Sequence, residues 1–210
     1  MEVKLLTSTA SLKDMEQFAA IAALTCHANT DKEFVAPDVL ERIINWKHDS
    51  ILEHINLTYS VKGLSRACLQ ELARHRHLTL SVESTRHTLR QQLLDKTIQI
   101  SLPDDIDEEL RGVIMDYLTC LISYMHSHPN TPNDHIKYAI PECVCTNLIM
   151  TMNVRELCHI LALRTAPAAL KEFQDFAHAL YDAVPDEFKY LLEDCVYKAE
   201  DRWDTPKKNN

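Results

Sequence analysis

Arg74-His75-Arg76-His77-Leu78-Thr79-Leu80-Ser81-Val82-Glu83-Ser84-Thr85-Arg86 is the stretch on which the reading of this chain turns. Carried on to Arg90, it gathers four arginines (Arg74, Arg76, Arg86, Arg90) and three histidines (His75, His77, His87) around a single acid, Glu83. The chain as a whole leans the other way, with 31 Asp+Glu against 22 Lys+Arg and a formal net charge of −9. A cationic island in an acidic protein fits a pocket for a small anion, because each guanidinium offers a fork of donors that pairs with phosphate oxygens. Hydroxyls at Thr79, Ser81, Ser84 and Thr85 alternate with apolar residues and add further donors. The competing reading is a helix end that carries a solvated basic face.

Composition narrows the choice. At 210 residues and 46% hydrophobic, the chain can bury a core and reads as one domain spanning 1–210. An acidic balance argues against a general nucleic-acid or anionic-membrane binder, which carries a broad basic surface. A single-strand binder also stacks bases on aromatics; these are 7% of the chain, with none between residues 60 and 116. No run approaches the roughly 20 apolar residues that span a bilayer, and the start shows no long apolar core with a small-residue cleavage site. The expectation is a soluble, cytoplasmic protein.

The seven cysteines, at positions 26, 68, 120, 143, 145, 158 and 195, form no disulfide framework. Cys143 and Cys145 have no second pair to complete a tetrahedral zinc site, and no His-Glu-x-x-His occurs, so no metal site is expected. Glycine is the oddest count, with only Gly63 and Gly112. A phosphate loop needs several glycines so that backbone amides can approach a pyrophosphate. If this chain binds a nucleotide, side chains must do that work, which returns attention to the arginines.

Periodicity organises the rest. Residues 12–27 read as a helix with Phe18, Ile21, Ala22 and Leu24 on its apolar side, and a second helix opens at Pro37 and runs to about Trp46. Ile55, Leu57, Tyr59 and Val61 alternate as a half-buried strand ended by Gly63. Helical spacing returns from Leu64 to about His75, so the basic island begins at a helix end and continues into extended chain. A long amphipathic helix covers Ile106–His126, with Ile106, Leu110, Val113, Ile114, Tyr117, Leu118, Leu121, Ile122 and Met125 on one stripe. A short helix follows at Asn133–Ala139, a strand or buried extended segment at Val144–Met152, and helices broken at Pro167 and Pro185 over 153–200.

A second constellation opens the last part. Asn153 reads as a helix cap with Glu156 reaching back from three residues on. Arg155 and His159 lie four apart on one face. Arg164 falls on the same stripe as Leu157, where an arginine is costly unless it meets an anion or a set of acceptors. The alternatives left open are an arginine that snorkels outward or complements the helix dipole, and a histidine satisfied within the core.

Taken together, these residues resemble the flavin-dependent thymidylate synthases. That family's signature, Arg-His-Arg, seven residues and then Ser, is matched by Arg74-His75-Arg76 and Ser84. The resemblance extends to His48-Asp49-Ser50-Ile51-Leu52-Glu53-His54, to Gly63-Leu64-Ser65-Arg66, to Asn153-Val154-Arg155-Glu156-Leu157-x-His159 and to Arg164, in family order. It implies an α+β fold, helix-rich around a mixed or antiparallel sheet, assembled as a homotetramer whose active sites mix subunits. It also implies a flavoprotein transferase that methylates dUMP to dTMP, with methylenetetrahydrofolate as carbon donor and FAD reduced by NADPH as hydride donor.

By the same resemblance the flavin would be held by Ser50, Arg74, His75, Arg76, Val82, Asn153, Val154, Arg155 and His159. The nucleotide would be held by Glu71, Leu72, Ala73, Arg74, Val82, Glu83, Ser84, Thr85, Arg86, Lys137 and Arg164. Arg164 would face the uracil ring and stabilise negative charge that develops there. Ser84 would take part in catalysis as a substrate-binding hydroxyl rather than a nucleophile, since no base is dedicated to it. The chain departs from the family at Val82, where many members carry Glu or Gln, at His87 for Tyr, and at Lys137 for Arg. The reading that competes with this enzyme is a non-enzymatic nucleotide- or single-stranded nucleic-acid-binding protein using the same basic pocket.

Overall fold

The structure, a computed structural model, describes residues 1–6, 11–26, 33–95, 97–192 and 194–197. In chain order its main elements are β1 (Glu2–Leu6), α1 (Leu12–Cys26), α2 (Ala36–Asn45), β2 (Asn56–Ser65), α3 (Arg66–Leu72), β3 (Leu78–Val82), α4 (Thr85–Leu94), α5 (Glu108–Ser127), α6 (Asn133–Ile136), β4 (Cys145–Asn153), α7 (Val154–Arg164) and α8 (Lys171–Asp182). Short 3-10 turns lie at Asp49–His54, Lys137–Ala139 and Asp186–Leu191. The chain's contacts divide it into two compact units, Met1–Thr7 with Leu57–Met152, and Ser8–Asn56 with Asn153–Asn210.

The first unit carries a four-stranded sheet in the order β1-β2-β4-β3. β1 runs antiparallel to β2, with Val3 opposite Val61, and β3 antiparallel to β4, with Leu80 opposite Met150. Between β2 and β4, Thr58 meets Thr151 through their hydroxyls at 2.9 Å, and the Gly63 amide donates to Asn147 Oδ1 at 3.1 Å. The partner number falls as the strand number rises, so this pair is antiparallel too. The period-2 pattern works as alternation requires: Leu57, Tyr59 and Val61 are buried on β2, and Leu148, Met150 and Met152 on β4.

The strand expected to end at Gly63 instead passes through it to Ser65. Gly63 adopts φ +75°, which L side chains rarely take, so it bends the strand without breaking it. Ser65 then caps α3 by accepting the Cys68 amide at 3.0 Å. Beside the sheet, α4, α5 and α6 share an apolar cluster of Leu89, Leu93, Leu121, Met125 and Ile136. The stripe expected on α5 is only partly used: Leu118, Leu121 and Met125 are buried, whereas Leu110, Val113 and Tyr117 are exposed. An amphipathic stripe says how wide the apolar face is, not how much of it one chain covers.

In the second unit α1 packs on α2 and on the 3-10 turn Asp49–His54, while α7 packs on that turn and on α8. The face expected for α1 is wrong. Its buried residues are Met15, Glu16, Ala19, Ala20 and Ala23, whereas Phe18 is 61% and Ile21 41% exposed. Alanines permit close helix approach, and Glu16 is tolerated inside because the Tyr190 hydroxyl donates to it. Burial, and after it the bond to Glu16, pushes the Tyr190 phenol well above its ordinary value. His27, at the end of the helix expected over 12–27, lies outside the described residues.

Candidate functional site

In the first unit the basic island occupies the path from the end of α3 through β3 to the start of α4. As α3 unwinds, the Arg74 and His75 amides still donate to the Glu71 and Leu72 carbonyls, at 3.3 and 3.0 Å. The chain then extends with His75 turned inward and Arg74 and Arg76 turned out. Leu72 is fully buried, so only its backbone is open to a ligand, while Ala73 is exposed and Glu71 half-buried. Leu78–Val82 then forms the sheet edge opposite β1. It leaves Val82 exposed beside the β3–α4 junction.

That junction is the part best suited to an anion. Ser84 is the N-cap of α4 in extended conformation, and its side chain caps nothing. The first-turn amides of a helix have no intrahelical acceptor and carry the positive end of its dipole, and Thr85 and Arg86 stand in that turn. Among the described residues no base holds the Ser84 hydroxyl, and a serine nucleophile needs one. Arg86 meets Asp134 of α6 in a two-pronged ion pair, Nε to Oδ1 at 2.8 Å and a terminal nitrogen to Oδ2 at 3.0 Å. Asn133 donates to the Arg86 carbonyl at 2.6 Å, and Arg90 donates to the Thr131 carbonyl. Lys137 is exposed one turn beyond Asp134. Arg86, Thr85, Ser84 and Lys137 thus belong to neighbouring elements of one unit.

Glu83, the one acid of the island, is engaged differently. Its carboxylate accepts the Gln92 and Asn147 side-chain amides, both at 2.6 Å. It faces a polar cavity of about 490 Å3 lined by Glu2, Lys62, Gln99 and Cys145, among others.

In the second unit Asn153 caps α7 in keeping with its spacing, accepting the Glu156 amide at 2.8 Å. Val154 is buried, and its amide donates to the Ile55 carbonyl at 2.8 Å. Arg155 is exposed, ion-paired with Glu53, and lines a cleft of about 280 Å3 with Ser50, Lys47, His48 and Asp49. The structure therefore brings Ser50 and Arg155, far apart in sequence, to one cleft. His159 lies exposed one turn beyond Arg155. Arg164 is half-buried at the last turn of α7, its guanidinium over the Phe173 ring at 4.6 Å from the centroid. A ring face stabilises a cation directly, so Arg164 does not need to snorkel or depend on the dipole alone.

Lys47, which also lines this cleft, was not among the residues expected from the sequence. It has φ +59°, and its amide and that of His48 return to the Ile44 and Ile43 carbonyls at 2.9 and 3.1 Å. This is a Schellman cap with lysine in the left-handed position normally taken by glycine. A Lys directly after a helix, in a chain nearly devoid of glycine, was the available signal. Asn147 and Gln92 were also missed; an Asn at an exposed position in an alternating strand gives no distinct signature. No cluster of three or more metal-ligating side chains occurs among the described residues.

The profile of the family described as "Thymidylate synthase complementing protein" matches residues 4–188. A flavin-dependent thymidylate synthase of Helicobacter pylori (strain J99) is 40% identical over 177 residues, covering 76% of this chain and 82% of that protein. The chain belongs to the thymidylate synthase complementing protein family. Another relative, the flavin-dependent thymidylate synthase of Campylobacter jejuni (strain RM1221), is 36% identical over 182 residues, 82% of this chain and 84% of its own. The crystal structure of Thymidylate Synthase X from Helicobacter pylori with FAD and dUMP matches with a TM-score of 0.82 at 35% identity, over 94% of this chain and all of that one.

Proposed function

We propose that this chain is a flavin-dependent thymidylate synthase, converting dUMP to dTMP with methylenetetrahydrofolate as carbon donor and NADPH as source of reducing power. One observation carries the reading: the signature residues end at a helix N-terminus without a side-chain cap, with Ser84 at the N-cap position and Thr85 and Arg86 in the first turn, in a chain similar over most of its length to enzymes of that name.

The donor set fits FAD. Lys47, His48, Ser50 and Arg155 line one cleft, and such cations and hydroxyls suit a diphosphate where no glycine loop exists. His75, Val82, Asn153, Val154 and His159 extend the flavin contacts, with Arg74 and Arg76 adding positive charge. Bound FAD would supply the hydride.

The protein's own residues do the rest. Ser84, Thr85, Arg86 and Lys137 hold the dUMP phosphate, and Arg74 and the Glu71–Ala73 backbone fix the nucleoside. Arg164 orients the uracil, and its guanidinium stabilises charge that develops on the carbonyl oxygens. Its perch over Phe173 fixes it before that charge appears, which avoids reorganisation during the reaction.

The whole chain acts as one catalytic domain within a homotetramer. The exposed Leu110, Val113 and Tyr117 of α5, with Phe18 of α1, supply the apolar surface such an assembly would cover. A cytoplasmic setting suits the reaction; no described helix is long and apolar enough to cross a membrane. Absorbance titration tests the first step: added FAD should bind with flavin bands perturbed from the free cofactor, and Arg155→Ala should weaken that binding. Absence of any FAD binding would sink the reading.

A further inference from the structure

We propose that Asn147 is a positioning residue for the nucleotide site: by clamping the Glu83 carboxylate it sets where Ser84, Thr85 and the first turn of α4 stand. The inference rests on the reading that this junction holds the dUMP phosphate.

Three hydrogen bonds tie Asn147 to this region. Its carbonyl accepts the Glu83 amide at 2.8 Å, its Nδ2 donates to Glu83 Oε2 at 2.6 Å, and its Oδ1 accepts the Gly63 amide at 3.1 Å. One side chain on β4 thereby ties β2 to the β3–α4 junction. Gln92 on α4 completes the clamp from the other side, donating to Glu83 Oε1 at 2.6 Å. A carboxylate only accepts, so each oxygen takes one amide donor, and such charge-assisted bonds are short and strong.

The clamp has a second effect. A free Glu83 beside Ser84 would repel a phosphate. Held by the two amides, its carboxylate instead lines a cavity whose lining includes none of Ser84, Thr85 and Arg86. Glu83 therefore serves the nucleotide through its backbone and its fixed side chain, not by direct side-chain contact.

Satisfiability supplies the test. In Asn147→Asp a carboxylate faces the Glu83 carboxylate and the donor is gone. In Glu83→Gln the new amide nitrogen faces either the Asn147 amide nitrogen, which cannot flip without abandoning the Gly63 amide, or that of Gln92, whose side chain must then turn over to accept it. Combining the two substitutions exchanges the groups. The new amide at the β3–α4 junction accepts from Gln92 and donates to the new carboxylate on β4, which still accepts the Gly63 amide. Asn147→Asp should raise the KM for dUMP about tenfold, the size of a lost charged hydrogen bond, and Glu83→Gln by less, each with FAD affinity unchanged and kcat at saturating dUMP within about twofold. The double variant should return KM to within about threefold of the wild type.

Amide hydrogen exchange at residues 84–86, measured without substrate, should quicken in both singles and recover in the double. Should a single variant fail to fold, Gln92→Met removes one donor and should raise KM about threefold. Wild-type KM and exchange in both singles would overturn the proposal, as would additive losses in the double variant. If the exchange pattern appears while the wild type binds no dUMP, the clamp stands and the reading of the substrate fails.

Discussion

Arg86 cannot serve a phosphate and remain fully committed to Asp134, and this sets a measurable prediction for Asp134→Asn. The pair is exposed, at 65% and 52% for the two side chains, so it is worth little: exposed pairs contribute roughly 0.2–1 kcal/mol. Its two-pronged geometry puts it near the upper end, about 1 kcal/mol. The Asp134 charge also repels the bound phosphate across the guanidinium. At ~7 Å in water that is about 0.6 kcal/mol per pair of unit charges, or about 1.2 kcal/mol for a dianion. Because Arg86 can share its donors, the two contributions overlap, and the net gain on removing the charge is about 1–2 kcal/mol, roughly 5- to 30-fold tighter dUMP binding. Calorimetric titration of the FAD-loaded protein with dUMP measures this directly. Raising the salt concentration should shrink the difference, since screening acts on exposed charges. An unchanged or weaker affinity in Asp134→Asn would refute the reasoning and show that Asp134 holds Arg86 in its working position.

Other perturbations follow from single observations. The Tyr59 hydroxyl is buried with no hydrogen-bond partner among the described residues, so Tyr59→Phe should stabilise the protein by about 1 kcal/mol in urea titration at unchanged m-value; a loss of stability would reveal a hidden partner. Burial also holds the Tyr59 phenol well above its ordinary value. The protein's stability is therefore independent of this group's ionisation well below about pH 10 and declines as pH rises beyond it, where the unfolded chain ionises first; Tyr59→Phe should show a shallower alkaline loss. Arg164→Ala should lower turnover about 10²–10³-fold while flavin absorbance stays with the protein, and wild-type dTMP formation in that variant would exclude the assigned role. Lys47→Gly should gain up to about 1 kcal/mol by relieving a left-handed lysine, yet bind FAD more weakly. A variant that loses stability would contradict the cap, and one that binds FAD normally would remove Lys47 from the flavin contacts.

The family was legible because its signature is carried by side chains. With two glycines, the chain presents that signature as arginines and hydroxyls at fixed spacings, and Asn153 announces its helix by a cap. The strands β2 and β4 alternate cleanly, so their existence can be read directly. Quantity and direction are what the pattern does not carry. On α1 it points to the largest apolar residues, although alanines make the closest packing. On α5 it implies a wholly buried stripe, although only part of that stripe packs within the chain. The bend at Gly63 looks like an end, since one positive φ reads the same as a stop. Glu83 can be placed beside the signature serine by position, but nothing in the sequence points to its partners, Asn147 and Gln92, which come from other elements of the fold.

Product formation from dUMP tests the central claim most directly. Purified protein given dUMP, methylenetetrahydrofolate, FAD and NADPH should form dTMP, separated and measured by chromatography, and should form none when FAD or NADPH is left out. dTMP formation that does not depend on FAD, or none under the complete mixture from protein that binds both FAD and dUMP, would contradict the account.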